Sequence, residues 1–356
     1  MPPPPGHSGD NSVMVFDGFR LSAAFIALSL TGAALGWFFF GRDQPAPMEA
    51  LSPPAPMMMQ GDILQPILPL VPLGNLDGGR VALGRQLFHD ARLSADFSVS
   101  CATCHNLSAG GVDGQRFSLG IGGARGTINA PTVFNSAYSI AQFWDGRAAS
   151  LEEQAAGPIQ NPIEMGATWS QVLGRLELDN ELLGEFRRLY ADGLTANNVL
   201  DAIATFERSL VTVDSRFDRY LRGDQKALSA QESDGFRRFR EFGCTSCHQG
   251  MLIGGNMFQK FGVLGDYFAG RAITEEDLGR YNVTRREEDR HVFKVPSLRN
   301  VARTAPYFHD GSAETLDQAV IVMARYQLGR DLSAEDVEAI VAFLHTLNGE
   351  LPATTR

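Results

Sequence analysis

The sequence predicts a mainly α-helical fold made of two related halves that are joined by long Gly-rich connections. Three observations support this prediction. Helix-period apolar patterns recur along the chain, β-type alternation is rare, and the chain repeats its own motifs after residue 79. A small hairpin is compatible with the same pattern. With 356 residues, 44% of them hydrophobic, the chain is long enough for two modest domains plus accessory segments.

The composition is acidic, with 41 Asp and Glu side chains against 31 Lys and Arg and a formal net charge of −10. This balance argues against a nucleic-acid partner, because phosphate backbones are bound by basic surfaces. It favours a docking surface for basic proteins, while solubility alone also accounts for a net charge of this kind.

An apolar run follows the short N-terminal segment 1–20. Residues 21–40 carry no charge, and a helix of that length rises about 30 Å, which matches the hydrocarbon thickness of a bilayer. A cleaved signal peptide has a shorter apolar region, of about 7 to 15 residues, that follows a basic segment. Only Arg20 supplies such a charge here. A transmembrane anchor is therefore favoured over a cleaved signal.

The segment 41–78 is rich in proline and methionine and has no sustained period, which is typical of an extended linker. It contains Met57, Met58 and Met59 in a row. A linker is favoured over a metal site, because three adjacent thioethers on an ordered element cannot face one ion and no histidine is near.

Two homologous halves follow the linker. Each contains a C-x-x-C-H motif, then Pro-[Thr/Ser]-x-x-Asn, then Phe-x-Asp-Gly and a helical stretch. The first-half segments PTVFN and FWDG recur 165 residues later as PSLRN and FHDG, and the helices AIATFERSL and AIVAFLHTL end the two halves. We predict one domain over residues 79–223 and a second over 224–356, with Ser229 as a helix N-cap just after the boundary.

The C-x-x-C-H motifs use every cysteine of the chain. They read Cys101-Ala-Thr-Cys104-His105 and Cys244-Thr-Ser-Cys247-His248. In such a motif the two thiols bond to the vinyl groups of a haem and the histidine ligates its iron. A thioredoxin-type pair or half a zinc site leaves the histidine unexplained. The sequence therefore predicts two covalent haem c groups with His105 and His248 as iron ligands.

The sixth iron position is expected to differ between the halves. In the second half the candidate ligands are Met251, Met257 and Met323. The first two lie within ten residues of His248, too close to reach the opposite haem face, so Met323 on the helix after FHDG is favoured over a core role for that methionine. A thioether ligand raises the reduction potential, which suits electron transfer.

In the first half the corresponding region, GPIQNPIEMG, offers Glu164 and no good iron ligand, since a turn cannot aim both Glu164 and Met165 at one iron. A carboxylic acid beside an open iron suits peroxide chemistry, because it can take a proton from one oxygen and return it to the other. A surface glutamate is the alternative interpretation.

From Gly79 to Gly349 the chain resembles the bacterial diheme cytochrome c peroxidases, and it is also similar to the methylamine-utilisation diheme enzyme. The resemblance lies in LGRQLFHDARLS, SCATCHNLSAGGVD, INAPTVFNS, AQFWDGRA, EQAAGPIQNPIEM, GCTSCHQG, DRHVFKVPSLRN and TAPYFHDG. It implies reduction of hydrogen peroxide to water with electrons from a small cytochrome c or copper protein. It also implies that the body lies in the periplasm and forms a homodimer. If the apolar run is an anchor, the body is held at the inner membrane.

The resemblance also implies roles for individual residues. These are an acid-base role for Glu164, a pocket role for Gln154, a place between the haems for Trp144, axial ligation for Met323, and a calcium site formed by Asn129 with the backbone carbonyls of Thr304 and Pro306. Hard oxygen ligands of this kind suit calcium.

One position departs from the family pattern. Many members cap the first haem with a histidine sixteen residues after the C-x-x-C-H histidine, and here that position is Ile121. None of the seven histidines (7, 89, 105, 248, 291, 309 and 345) is an obvious replacement. We therefore expect an open first haem even in the oxidised protein. Two other functions remain: a protein-modifying oxidase, whose relative has a tyrosine where this chain has Met323, and a non-enzymatic diheme electron carrier.

Overall fold

The computed structural model describes residues 67–355, which lie within one compact unit, residues 61–356. The fold is mainly helical, as predicted, with 45% helix and few strands. Across residues 67–355, no helix is both long and apolar enough to cross a membrane. The predicted anchor or signal at 21–40 and the methionine triplet lie outside the described residues.

The helices and strands are named here in chain order. The helices are α1 Gly78–Phe88, α2 Cys101–Cys104, α3 Leu151–Gln160, α4 Trp169–Leu176, α5 Asn180–Leu189, α6 Ala196–Ser209, α7 Arg216–Leu221, α8 Ala230–Glu241, α9 Tyr281–Thr284, α10 Leu316–Leu328 and α11 Ala334–His345. The strands β1 Phe258–Lys260 and β2 Val292–Lys294 pair antiparallel, so a small hairpin-like sheet is present.

Local sequence signals explain where several helices begin. Helix α8 begins after Ser229, as predicted: the Ser229 hydroxyl accepts from the Glu232 N–H, and the Glu232 carboxylate accepts from the Ser229 N–H. This reciprocal pair is a capping box, which satisfies two otherwise unpaired N–H groups. Thr315 and Ser333 form the same arrangement at the starts of α10 and α11.

Each half contains a close crossing of two of its helices. Helix α1 crosses α6 at Gly84, where a Cβ would lie 1.8 Å from the Ala202 carbonyl oxygen. Helix α8 crosses α11 at Gly235, where a Cβ would lie 1.9 Å from the Ala339 carbonyl oxygen. Both crossings require glycine, because any side chain would separate the backbones.

Aromatic side chains fill the core behind each crossing. In the first half Phe88 packs edge-on against Phe206, with ring centroids 5.3 Å apart. Behind the second crossing Phe217, Phe236 and Phe343 pack around one point with centroid separations of 4.9 to 5.1 Å. All five rings are nearly or fully buried. Burial of each such ring contributes roughly 1.5–3 kcal/mol.

The asparagines of the two Pro-[Thr/Ser]-x-x-Asn segments have the same backbone and the same side-chain partner. Asn135 and Asn300 both have φ 62°, a left-handed conformation that asparagine tolerates better than most residues. Their side-chain amides donate to the one hydroxyl of Thr212, at 2.9 and 2.8 Å. The repeated motif therefore connects the two halves through hydrogen bonds to Thr212.

A pair of reciprocal hydrogen bonds joins the halves. The Asn129 N–H donates to the His309 carbonyl, and the Lys294 N–H donates to the Trp144 carbonyl, both at 2.8 Å. Asn129 and Lys294 lie 165 residues apart in sequence, as do Trp144 and His309. The two halves therefore meet through equivalent residues.

The end of the predicted linker packs against the body. Ile67 and Leu70 are buried, and the Leu70 N–H donates to the Asp218 carboxylate at 2.9 Å. Asp218 also forms a fully buried ion pair with Arg299 at 2.8 Å. A second Arg299 N–H group donates to the Leu68 carbonyl at 3.2 Å. These contacts hold residues 67–70 in place by hydrogen bonds as well as by apolar burial.

Candidate functional site

A single large cavity, of about 980 Å³, contains both C-x-x-C-H motifs in its wall. The first motif lies on α2 and at the end of it, and the second on a 3-10 turn, Cys244–Ser246. All four cysteines are free and partly exposed. Two thiol pairs in the wall of a mostly apolar cavity fit the covalent attachment of two haems.

Both motif histidines are oriented for iron ligation. His105 Nδ1 lies 3.2 Å from the Gly111 carbonyl oxygen, and His248 Nδ1 lies 3.2 Å from the Ile253 carbonyl oxygen. Each carbonyl accepts from the Nδ1–H tautomer, which leaves Nε2 free for a metal. Burial lowers the pKa of both imidazoles, that of His248 to about 4, so both are neutral as ligands must be.

The second-half methionines are separated by the structure. Met323, on α10, lines the cavity, whereas Met251 and Met257 do not line it. Met323 packs near Phe261, Phe268 and Phe293 in a small cluster. Met323, the predicted sixth ligand, therefore lines the same cavity as His248.

Glu164 also lines the cavity, on the side of the first motif. One of its carboxylate oxygens accepts from the Asn161 side-chain amide at 2.6 Å, which fixes the orientation of the carboxyl group. Burial raises the pKa of Glu164, although the Asn161 hydrogen bond and the Arg147 charge act in the opposite direction. A carboxylic acid with a raised pKa exchanges protons closer to neutral pH.

Ile121 lies on the loop that packs against the Glu164 turn. Its N–H donates to the Glu164 carbonyl at 2.8 Å, and its side chain contacts Gly166, where a Cβ would lie 2.4 Å from the Ile121 Cδ1. Met165 is buried in the first-half core behind this turn. An isoleucine has no group that ligates iron.

Trp144 and Gln154 complete the predicted set around the cavity. The Trp144 indole N–H donates to the Asn129 carbonyl at 2.8 Å, and its ring meets that of His309 edge-on with centroids 6.4 Å apart. The indole therefore lies where the two halves meet. Gln154 is on α3, one turn before Pro158, and is partly buried.

The three residues of the predicted calcium site all line the cavity. The Asn129 amide group donates to the Gln115 carbonyl at 3.0 Å, while its Oδ1 accepts no hydrogen bond within residues 67–355. The carbonyls of Thr304 and Pro306 are likewise free of backbone partners within that range. The structure thus brings three uncommitted oxygen atoms to one wall.

A buried polar cluster beside His309 has no counterpart in the sequence-based predictions. His309 Nε2 lies 2.8 Å from the Asp277 carboxylate, and Arg271 pairs with both Asp277 and Asp310. Burial opposes ionisation of Asp277, but His309, the Thr274 N–H and Arg271 lower its pKa to about 2. Because Arg271 already neutralises these carboxylates, the cluster fixes the His309 ring rather than binding an ion.

Two more charged residues in the cavity wall are absent from the sequence-based predictions. Glu207, on α6, is 5% exposed, and burial raises its pKa to about 8. Lys294, on β2, is partly buried, and burial lowers its pKa to about 8. The equivalent positions of the other half carry Leu344 and Asn129, but a sequence alignment does not show that either charge is buried without a partner.

Comparison with known proteins identifies the relatives of the chain. The family described as di-haem cytochrome c peroxidase matches residues 79–226. The cytochrome c peroxidase Ccp of Escherichia coli is 52% identical over 286 residues, which are 80% of this chain and 61% of that relative. The cytochrome c551 peroxidase of Nitrosomonas europaea is 45% identical over 84% of this chain and 87% of its own length.

The solved structure of a MauG-like protein associated with microbial copper homeostasis is also similar. It superimposes with a TM-score of 0.70 and 27% identity, over 84% of this chain and 97% of that one. The match covers helices of both halves.

Proposed function

Because the chain belongs to the di-haem cytochrome c peroxidase family, we propose that it reduces hydrogen peroxide to water in the first half of the cavity. The family implies two haem c groups. The observation that carries the proposal is the position of Glu164, whose oriented carboxyl group lies in the same cavity wall as His105.

The proposed haem-binding residues are the two C-x-x-C-H motifs, with Met323 as a further iron ligand. When bound, haem supplies an iron that coordinates oxygen ligands and exchanges electrons. With haem bound, the Glu164 carboxylate would take up and release the proton that the reduction of peroxide to water requires. Asn161 orients this carboxylate, because its amide donates to only one of the two oxygens at 2.6 Å.

The other cavity residues divide the remaining tasks. Gln154 provides an amide in the first half that can hydrogen-bond a bound oxygen species. Trp144 joins the halves through its ring contact with His309 and its bond to Asn129, and so provides a compact path for electrons between them. Met323 closes the second half to substrate, which suits electron entry there.

We further propose that the first iron is open in the oxidised protein. Ile121 occupies the position at which many family members have a histidine, and its side chain is packed on Gly166. Activity therefore needs no prior reduction. High-spin ferric electron paramagnetic resonance, recorded before a peroxide assay on the oxidised protein, tests both statements. A purely low-spin spectrum at both irons would refute the open site.

The remaining partners are proposed from the resemblance. They are a small cytochrome c or copper protein as electron donor, a second copy of the chain in a homodimer, and calcium at Asn129, Thr304 and Pro306. The three free oxygens at those residues support the calcium site. The body is placed in the periplasm, with the apolar run 21–40 as an inner-membrane anchor.

A protein-modifying oxidase is the second candidate function, supported by the similarity to a MauG-like protein. Met323 in the cavity wall favours the peroxidase, because the resembling oxidase has tyrosine there. The assay is peroxide turnover with a reduced small cytochrome c. Rapid turnover supports the peroxidase and excludes a simple electron carrier, whereas oxidation of a partner protein without turnover supports the modifying enzyme.

A further inference from the structure

Lys294 carries a positive charge into the cavity wall without a partner. Within residues 67–355 its side chain forms no ion pair and no hydrogen bond. Burial is the only cause that lowers its pKa, so no carboxylate of the described residues lies near enough to compensate. A partly desolvated ammonium group costs free energy unless a counter-charge is present.

The backbone fixes Lys294 at this place from both sides. Its N–H donates to the Trp144 carbonyl at 2.8 Å, and on the other strand it pairs with Phe258. Lys294 is therefore held on the wall of the cavity by ladder and inter-half hydrogen bonds. A side chain placed this way by the backbone cannot leave the cavity by a simple loop movement.

The same segment runs beside the second motif. Pro296 lies two residues after Lys294, and its carbonyl oxygen would be 2.2 Å from a Cβ at Gly254. The same Cβ position is 3.4 Å from His248 Nδ1. The segment that follows Lys294 therefore runs beside His248, which is the reason for considering Lys294 together with the haem of the second half.

Comparison of the two halves shows which residue of the first half is equivalent to Lys294. In the first half the equivalent residue is Asn129, which is a proposed calcium ligand and makes the matching backbone bond to His309. The first half therefore offers neutral oxygens that need a cation, and the second half offers a cation of its own. Haem carries two propionate carboxylates, and these are the anions that enter the cavity with it.

We propose that the Lys294 ammonium group binds a propionate carboxylate of the haem held by His248, in place of the calcium that serves the first half. The proposal rests on the haem binding and on the calcium site proposed above. A positive charge beside a haem favours the reduced iron, which carries one positive charge less. Lys294 is therefore a positioning residue that keeps the potential of the electron-transfer haem high.

The test is a potentiometric titration of both haems in the purified holoprotein. Lys294→Met should lower the equilibrium constant for reduction of the high-potential haem by about tenfold or more. For a one-electron couple this is a fall of about 59 mV in its midpoint reduction potential. Lys294→Arg, which keeps the charge, should stay near the wild type. Lys226→Met is the control, because Lys226 is exposed and its side chain has no partner in the described residues.

Three outcomes overturn the proposal or its premise, and they are distinguishable. An unchanged potential in Lys294→Met, with two haems per chain, overturns the role of Lys294. A shift confined to the other haem overturns the assignment to the His248 haem. Fewer than two covalent haems in the wild type, counted from the pyridine haemochrome spectrum, overturns the haem binding itself.

A second measurement applies if Lys294→Met does not fold. In a crystal structure of the wild-type holoprotein, the Lys294 Nζ should lie within 4.0 Å of a propionate oxygen. A protein carboxylate or no anion in that place would contradict the proposal.

Discussion

The two halves of the chain share several backbone features but have different side chains facing the cavity. Both have a glycine crossing, a left-handed asparagine bonded to Thr212, and a histidine whose Nδ1 is held by a carbonyl. At equivalent positions of the cavity wall the first half has Asn129 and Glu207, and the second half has Lys294 and Leu344.

This difference indicates which contacts hold the fold and which set the chemistry. The repeated contacts are close backbone approaches and hydrogen bonds of the asparagine and histidine side chains, which depend on geometry and tolerate little change. Divergent positions are side chains in the cavity wall, where a change alters charge, proton exchange or iron ligation without moving the backbone. Glu164 and Met323 are the clearest case, since each half has the group that the other lacks.

The largest effect on activity is expected from substitution of Glu164, which has no counterpart in the second half. Glu164→Gln keeps the shape and the Asn161 contact region but removes the exchangeable proton, so peroxide turnover should fall about 100-fold to 10,000-fold. The spectra of both haems should stay nearly unchanged, because Glu164 is not among the residues proposed to ligate either iron. Steady-state peroxide consumption with a reduced small cytochrome c measures the loss.

The matched control for this prediction is Glu177→Gln, which removes an exposed carboxylate outside the cavity. It should leave turnover at the wild-type rate. Retention of turnover in Glu164→Gln would remove the glutamate from the mechanism.

The next effect tests whether the halves depend equally on their helix crossings. Gly84→Ala and Gly235→Ala should each lower the free energy of unfolding by about 1–3 kcal/mol, because the new Cβ meets a backbone carbonyl that only a shift of the helices can relieve. Chemical denaturation of the holoprotein measures both changes. A clear inequality between the two would show that the crossings are not equivalent.

Gly174→Ala is the control for the glycine pair. Gly174 lies inside α4, and a Cβ there meets nothing within 4 Å. Alanine should raise stability by about 0.5–1 kcal/mol, because it restricts the unfolded chain and favours the helix. If Gly174→Ala lowered the free energy of unfolding, the losses at Gly84 and Gly235 could not be attributed to the helix crossings.

The sequence was sufficient for features that depend on short-range patterns. The Ser229 N-cap and the helical fold class depend on adjacent residues and were confirmed by the structure. The sequence analysis only left room for a small hairpin, and the strands β1 and β2 that pair in the structure lie far apart along the chain. The spacing of C-x-x-C-H predicts haem attachment by itself, and the family comparison agrees. The roles assigned to Glu164, Gln154, Trp144, Met323 and the calcium ligands stay predictions, although the structure brings all of them to one cavity.

The burial of a charged side chain without a counter-charge could not be predicted from the sequence. Glu207 precedes Arg208, which suggests a solvated charged pair, but neighbouring residues on a helix do not face each other. In the structure Arg208 pairs with Glu152 at 2.6 Å and Glu207 is buried without a hydrogen bond in the described residues. Lys294 is a similar case, since its lack of a counter-charge is visible only after folding.

The smallest expected effect is on the pH dependence of stability, and it concerns Glu207, whose equivalent in the second half is Leu344. Burial raises the pKa of Glu207 from its ordinary value of 4.5 to about 8, while Arg208 lowers it and Glu152 raises it further. Between these two values the unfolded chain loses this proton and the folded chain keeps it, so stability falls as pH rises, by up to about 1.4 kcal/mol per pH unit. Below 4.5 and above about 8 the two states carry equal charge at this site, and its contribution is constant.

Glu207→Leu, which installs the residue of the second half, should remove this slope, and Glu207→Gln should do the same. The free energy of unfolding, measured at pH 5, 6, 7 and 8, should therefore rise relative to the wild type as pH increases. Glu177→Gln should leave the wild-type slope unchanged. Parallel pH profiles for wild type and Glu207→Leu would contradict a raised pKa of Glu207 in the folded protein, and the buried carboxyl would then not distinguish the first half from Leu344 of the second in this respect.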